Sequence, residues 1–224
     1  MNFKYKKGIC IFGIIVLVII TGLTFKNHNK TENTDILLSY ESMGKTIEKV
    51  DFQNLIQEWY NTKLVNFMKE KSGLKIDTIE YLNEQCKEKN LDPFFVLGLM
   101  KLESNFNTNL ISYAGARGLG QLMDNTAKPW ANNLGLEYSV EKLYEPKYNI
   151  QIFTSHLQYL FKVYNNDVHQ ILTAYNRGQG GLKKYVASRS NRRNPAESTY
   201  SNRVLQLGNV YREEFENNQS KASE

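Results

Sequence analysis

The stretch DPFFVLGLMKLE, residues 92–103, predicts the central helix of this 224-residue chain. Asp92 can accept a hydrogen bond from the free amides that open a helix, and Pro93 suits the first helical turn. The residues that follow are apolar on nearly every face, which is typical of a helix buried in the middle of a domain. The polar residues after Glu103 favour the end of a helix, so this carboxyl should lie in the last turn.

Glu103 is the strongest candidate for a catalytic residue. Its predicted position combines partial burial, the negative end of a helix dipole and nearby free carbonyl groups, all of which oppose ionisation. We therefore expect a raised pKa, and a carboxylic acid that stays protonated near neutral pH suits the cleavage of a glycosidic bond. Considered on this helix alone, an ordinary carboxylate facing water fits equally well.

The rest of the chain predicts further helices and no strand, so the expected fold class is all-α. Apolar residues recur at spacings of three and four, and no segment alternates as a half-buried strand would. Asp77 and Glu80 have the spacing of a capping box at the start of one helix. Besides the central helix, the predicted helical segments are residues 46–70, 77–90, 119–133, 146–164, 167–176 and 197–215.

Two glycine-containing segments have the composition of a binding site. SYAGARGLGQ, residues 112–121, contains three glycines that let the backbone turn tightly and approach a ligand closely. Such a loop can also serve only to connect helices. AYNRG, residues 174–178, places Tyr175 and Asn176 at a helix end, where the ring could stack on a sugar and the amide could pair with an acetamido group.

An uncharged apolar run at residues 8–25 predicts a membrane anchor, since about 20 such residues span a bilayer. Lysines before it favour a cytoplasmic amino terminus, which predicts a single-pass protein whose domain lies on the extracytoplasmic side of the cell membrane. The alternative is a cleaved signal peptide, although the typical small-residue cleavage site is absent. The predicted organisation is a basic cytoplasmic tail (1–7), the anchor (8–25), a tether (26–45), an amphipathic stalk or packing segment (46–72), a catalytic domain (76–215) and a flexible tail (216–224).

Composition argues against several classes of function. The net charge of +5 is too small and too dispersed to predict a nucleic-acid surface. Cys10 and Cys86 should not pair because Cys10 lies in the apolar run, and no Cys/His spacing resembles a zinc site. His28, His156 and His169 are interpreted as surface residues or as residues with satisfied hydrogen bonds. We therefore predict neither a metal nor a cofactor.

Four segments resemble, in order, the motifs of the soluble lytic transglycosylase family. They are Glu103-Ser104, then Ser112-x-x-Gly115-Ala116-x-Gly118-Leu119-x-Gln121, then Asn149-Ile150 with Tyr159-Leu160, and finally Ala174-Tyr175-Asn176-x-Gly178. The similarity covers residues 76–210 and implies a helical, lysozyme-like catalytic domain. It implies Glu103 as the catalytic acid, with the substrate-binding residues Ser104, Ser112, Gln121, Tyr175, Asn176 and Tyr200.

Besides Asp124, which stands where proline is frequent, the chain departs from the family pattern at two places that bear on the predicted site. Gly120 stands where methionine is commonest, so we expect a side chain to be missing from the wall of the cleft. Glu197 precedes Tyr200 by three residues, whereas four is the usual interval in the family. The first departure bears on substrate preference, and the second makes the match at Tyr200 less secure than the others.

The resemblance implies non-hydrolytic cleavage of the β-1,4 bond between N-acetylmuramic acid and N-acetylglucosamine, with a 1,6-anhydro product. A lysozyme-type hydrolase is the nearest alternative, because Asp124, Glu145 and Asp167 are available as a second carboxylate. An alternative from another class is a wall-binding component of a secretion, conjugation or sporulation apparatus. The resemblance implies peptidoglycan strands as a partner, and the apolar run at residues 8–25 predicts the lipid bilayer as another. No nucleic acid is predicted as a partner, and an unidentified protein of an envelope machine is a further candidate. The basic stretch at residues 187–195 predicts a surface loop, with contact to wall phosphates as its alternative.

Overall fold

The computed structural model describes residues 52–221, and this part of the chain is helical. Its helices are α1 (Phe52–Ser72), α2 (Ile76–Glu88), α3 (Pro93–Ser104), α4 (Asp124–Asn133), α5 (Pro146–Val163), α6 (Val168–Ala187) and α7 (Thr199–Lys221), with a 3₁₀ turn at Glu141–Tyr144. Within this range there is no strand, and the extended pairings are isolated bridges from Arg117 to Ile111 and to Leu122. The predicted all-α fold class is confirmed.

The helix α3 lies in the core, as its composition predicts. Every residue from Phe94 to Met100 is buried. The Asp92 side chain accepts a hydrogen bond from the backbone amide of Phe94 at 3.0 Å, and Pro93 occupies the first turn. Asn105 ends the helix in the left-handed conformation, with φ of 50°. Both predicted boundaries of this helix are therefore confirmed.

The helices α3 and α7 run antiparallel and touch through their backbones at two glycines. A Cβ atom on Gly98 would lie 2.6 Å from the carbonyl oxygen of Val204 and 2.7 Å from the amide nitrogen of Gly208. A Cβ atom on Gly208 would lie 3.0 Å from the carbonyl oxygen of Phe94. Since neither glycine leaves room for a side chain, the crossing point is fixed, and with it the position of Glu103 relative to the start of α7.

The helix α1 packs against this pair of helices instead of standing apart as a stalk. Leu64, Phe67 and Met68 are buried, and the Phe67 ring meets the rings of Phe94 and Phe215 at 6.2 and 5.3 Å between centroids. The first turns of α1 are more exposed, as Ile56 and Trp59 show. Residues 46–72 were predicted to form either a stalk or a packing segment, and the described part, residues 52–72, packs on the domain.

Several predicted boundaries differ from the structure. The helix α2 begins at Ile76 with no side-chain cap, so the capping box at Asp77 and Glu80 is wrong; Asp77 lies in the first turn and pairs with Lys147 at 3.3 Å. The segment before Asp124 is loop, because its glycines turn the chain back on itself before α4 starts. The helix α6 continues to Ala187 through a kink at Gly178, and α7 continues to Lys221.

The predicted cytoplasmic tail, anchor and tether lie outside the described residues, as do residues 46–51 and 222–224. The helices formed by residues 52–221 include none with the length and hydropathy needed to cross a bilayer.

Replacing Gly98 with Ala should lower the free energy of unfolding by about 1–3 kcal/mol, the usual cost of forcing extra volume into a packed interior. The new methyl group would meet backbone atoms, which cannot rotate away. Chemical denaturation of the purified chain measures the loss. The matched control is Gly180→Ala, where no atom lies within 4 Å of the new Cβ and the change should be neutral or stabilising by up to about 1 kcal/mol. Equal stabilities of the two variants would contradict the close contact.

Candidate active site

Glu103 lies in the last turn of α3, where the helix emerges from the core. Its side chain is partly buried, and this burial raises the pKa of the carboxyl to about 7 from its ordinary value of 4.5. No neighbouring charge contributes to the shift, so desolvation is the cause. The carboxyl is therefore close to half protonated at neutral pH, as a group that both donates and accepts a proton should be.

Tyr200 holds the Glu103 carboxyl from the first turn of α7. Its hydroxyl donates a hydrogen bond to Oε1 of Glu103, which favours the ionised form and partly opposes the effect of burial on the pKa of the acid. Burial and the nearby carboxylate raise the pKa of Tyr200 well above its ordinary value, so it stays a donor. The structure thus brings Tyr200 to Glu103 despite the shortened interval to Glu197.

The glycine-rich loop at residues 112–121 is fastened to the helices by buried polar side chains. Asn149 of α5 accepts from the amide of Gly120 at 2.9 Å and donates to the carbonyl oxygens of Arg117 and Leu143 at 3.1 and 2.8 Å. A Cβ atom on Gly118 would lie 2.4 Å from the Asn149 amide nitrogen, so this close approach requires glycine. The loop is thus tied to α5 at three of its backbone groups or their neighbours, and its predicted part in a binding site stays a prediction.

Ser104 has a different position from the one predicted. Its side chain is 2% exposed, and its hydroxyl lies within hydrogen-bonding distance of the carbonyl oxygens of Met100, at 3.1 Å, and Leu119, at 2.9 Å. A hydroxyl used in this way ties α3 to the glycine-rich loop and does not reach a cleft. The assignment of Ser104 to substrate binding is corrected to a structural role.

Ser112 and Gln121 lie in the loop with part of their polar groups already used. The Ser112 hydroxyl accepts from the amide of Ala116 at 3.0 Å. The Gln121 amide nitrogen donates to the carbonyl oxygens of Leu110 and Gly118 at 3.2 and 3.0 Å, while its backbone adopts a positive φ of 46°. Both side chains remain partly exposed, so each can still offer an oxygen to a ligand.

The prediction that Gly120 leaves a side chain missing from the wall of the cleft is wrong. A Cβ atom at this position would lie 2.7 Å from the ring of Phe153, which is fully buried in α5. The position faces the core, so glycine here makes room for an interior ring and does not open the wall of the cleft. The carbonyl oxygen of Gly120 accepts a hydrogen bond from the Tyr175 hydroxyl at 2.7 Å.

Tyr175 is a second predicted aromatic residue, besides Tyr200, that the structure brings close to the acid. Burial raises the pKa of its hydroxyl well above the ordinary value, and the charge of Glu103 adds to that effect. Asn176 follows it as an exposed residue, and among the described residues no hydrogen bond joins it to Glu103. The kink at Gly178, with φ of 71°, ends the straight part of α6 directly after this pair.

Sequence reasoning missed His156, which lies behind Tyr175. The imidazole stacks on the Tyr175 ring at 5.5 Å and contacts Trp130 at 5.7 Å, and Trp130 in turn meets Tyr159. Its Nδ1 atom is buried without a hydrogen-bond partner, and burial lowers the pKa of the ring to about 4. The interpretation of His156 as a surface or satisfied residue is therefore wrong. Its position on the apolar face of α5 was a signal, because it places the imidazole inside the domain.

Of the three other acidic residues considered for catalysis, Asp124 and Asp167 are engaged elsewhere. Asp124 pairs with Arg117 at 2.6 Å and accepts from the Tyr138 hydroxyl at 2.8 Å. Asp167 caps α6 by accepting from the amides of His169 and Gln170. Glu145 is an exposed residue before α5. In the part of the chain that the structure describes, no group of three His, Cys, Asp or Glu residues is arranged to hold a metal.

The sequence matches one family model, described as the transglycosylase SLT domain, over residues 80–198. A Haemophilus influenzae protein provisionally named a soluble lytic murein transglycosylase is 37% identical over 112 residues, which are 50% of this chain and 19% of that protein. Membrane-bound lytic murein transglycosylase C of Actinobacillus succinogenes is 28% identical over 144 residues, or 60% of this chain and 39% of that one. The chain therefore spans well under half the length of each of these relatives.

The fold has a counterpart among solved structures. The 70 kDa soluble lytic transglycosylase of Escherichia coli aligns with a TM-score of 0.56 and 24% identity, covering 65% of this chain and 25% of the other. At this level of identity the likeness shows the fold alone.

Replacing Glu103 with Gln should stabilise the protein at pH 8 and change little at pH 4. Because burial raises the folded-state pKa from 4.5 to about 7, the stability linked to this carboxyl is fully present below pH 4.5 and is lost as the pH rises through 7. The variant avoids that loss, which we expect to be about 1–3 kcal/mol for a partly buried acid. Urea denaturation of both proteins at the two pH values measures the difference. The control is Glu58→Gln, at an exposed position, which should change the stability equally at both pH values. If Glu103→Gln is no more stable than the original chain at pH 8, the result would argue against burial of the carboxyl.

Proposed function

The chain belongs to the transglycosylase SLT family, and from that premise we propose that it is a lytic transglycosylase that cleaves the glycan strands of peptidoglycan. The observation that carries the proposal is the Glu103 carboxyl, isolated from other charges and given a pKa of about 7 by burial. It supports a reaction in which one group serves as acid and then as base.

In the first step, Glu103 protonates the oxygen that links N-acetylmuramic acid to N-acetylglucosamine. The C1–O4 bond breaks, and the N-acetylglucosamine part leaves with the proton as its 4-hydroxyl. Positive charge develops at the anomeric carbon, and the carboxylate just formed lies close to it. The buried setting strengthens this interaction because little water screens it.

In the second step, the C6 hydroxyl of the muramic acid attacks its own C1 atom. Glu103 takes the hydroxyl proton, the 1,6-anhydro ring closes, and the acid returns to its starting form without consuming water. A hydrolase would use a second carboxylate about 5–9.5 Å from the first. The engagement of Asp124 and Asp167 in other contacts supports the single-acid scheme.

Four of the predicted site residues are proposed to bind the substrate, and a fifth is proposed to position the acid. We assign Tyr200 to orienting the acid and Tyr175 to packing against the sugar, while the partly exposed Ser112 and Gln121 hydrogen-bond to it from the loop. Asn176, exposed beside Tyr175, is proposed to pair with an acetamido group. We place the protein at the extracytoplasmic face of the cell membrane. The predicted anchor supports this location, as does the membrane-bound relative of Actinobacillus succinogenes.

Digestion of purified peptidoglycan by residues 31–224 should yield 1,6-anhydromuropeptides, detected by mass spectrometry. Glu103→Gln should lower the rate by at least about 100-fold, because the amide cannot donate or take the proton. The same variant should still sediment with sacculi. Products with reducing ends would identify a hydrolase instead, and unchanged cleavage by the variant would end the assignment of Glu103.

Replacing Tyr200 with Phe should move the alkaline limb of the pH profile of kcat/KM to higher pH. The Tyr200 hydrogen bond lowers the pKa of Glu103, so its removal lets the pKa rise further and keeps the acid protonated at higher pH. Losing this contact to a charged group should also lower kcat by about tenfold. Tyr138→Phe, which removes a hydroxyl bonded to Asp124, is the control and should leave the limb in place. A limb that stays or moves to lower pH in the Tyr200 variant would oppose the proposed role.

A further inference from the structure

A polar cavity of about 410 Å³ lies where the loop at residues 188–198 meets the first turn of α7. Three of the side chains around it are arginines. We call it the arginine pocket, and the residues used below to define it are Tyr185, Arg189, Arg192, Arg193, Glu197 and Thr199.

Part of the pocket is held rigidly by Tyr185. The Tyr185 hydroxyl donates to the carbonyl oxygen of Glu197 at 3.0 Å, which fixes the ring across the loop. The Arg189 guanidinium stands 3.7 Å from the ring centroid and also donates to the Ser188 hydroxyl at 2.9 Å. The Arg177 guanidinium lies 4.6 Å from the same centroid. A planar guanidinium fixed in this way is prepared to bind a planar anion with two parallel hydrogen bonds.

The positive charge of the arginine pocket is not neutralised by the protein. Among residues 52–221, no ion pair includes Arg189, Arg192 or Arg193. Glu197 is the one carboxylate in the lining, and it accepts from the Asn202 amide at 2.8 Å instead of pairing with an arginine. Like charges held close together repel each other, and a bound anion would relieve that repulsion.

The pocket adjoins the candidate active site through the chain itself. Thr199 contributes to its lining, and the next residue is Tyr200, whose hydroxyl contacts Glu103. These residues form the first turn of a long helix, where the backbone dipole adds further positive potential. The lining of the pocket therefore begins one residue from the side chain that contacts Glu103.

We infer that the arginine pocket binds a carboxylate of the short peptide that the glycan strand carries on its muramic acid, and this inference rests on the proposed function. This peptide is attached to the sugar whose bond is cleaved, and each extended residue spans about 3.5 Å, so it reaches beyond that sugar. A wall phosphodiester has similar charge, but it has no fixed position next to the scissile bond. The continuity between the pocket and Tyr200 favours the peptide.

The test compares two substrates in the full chain, namely glycan strands with their peptides and strands from which an amidase has removed them. Arg192→Gln/Arg193→Gln should lower kcat/KM about tenfold on peptide-bearing strands, as expected when charge-assisted hydrogen bonds are lost, and should leave cleavage of bare strands unchanged. The charge-matched control is Lys69→Gln/Lys87→Gln on exposed surfaces of α1 and α2, which should match the original chain on both substrates.

A binding measurement separates this inference from the proposed function. Calorimetry with the free stem peptide should show binding that the arginine variant weakens, while polyglycerol phosphate should bind more weakly or not at all. Equal losses of kcat/KM on both kinds of strand would overturn the inference. Binding of polyglycerol phosphate but not of the stem peptide would also overturn it. If the protein binds the peptide through these arginines yet cleaves neither substrate, the inference about the pocket stands and the proposed enzyme activity is disproved.

Discussion

The backbone contact between α3 and α7 is the constraint on which the site depends. Gly98 and Gly208 let the two helices approach until main-chain atoms touch, and packed main chains have little freedom to slide. Glu103 and Tyr200 lie farther along the same antiparallel pair, so their hydrogen bond follows from the crossing geometry. The acid is thus positioned by the core of the domain and not by a mobile loop.

The same packing sets the chemistry of the acid. A carboxyl at the end of a largely apolar helix loses most of its water, and this raises its pKa without the help of another charged group. The Tyr200 hydroxyl then limits the shift by stabilising the carboxylate. Since desolvation and hydrogen bonding oppose each other here, the proton is held neither too tightly to be given nor too loosely to be recovered.

The central helix and its acid could be predicted because a cap, a proline and an unbroken apolar run are local signals. The loop at residues 112–121 was also identified, but not the direction of its side chains, so Ser104 and Gly120 were assigned to a cleft although both face the interior. His156 was missed because its stacking on Tyr175 is a contact between two helices, which the pattern within either helix does not show. The role of Gly98 is likewise visible only once α3 is packed against α7, where it faces Gly208. Contacts between distant segments are decided by packing, which periodicity does not report.

The attachment of the loop at residues 112–121 depends on the side-chain amide of Asn149. It donates to two carbonyl oxygens and accepts from one amide, so its two ends have opposite polarity and matching surroundings. Aspartate has the same shape, but its second oxygen would face carbonyl oxygens with no proton to offer. Replacing Asn149 with Asp would therefore turn two attractions into repulsions without changing the shape of the side chain. The attachment of the loop to α5 thus relies on one amide group, and a carboxylate of equal size is no substitute for it.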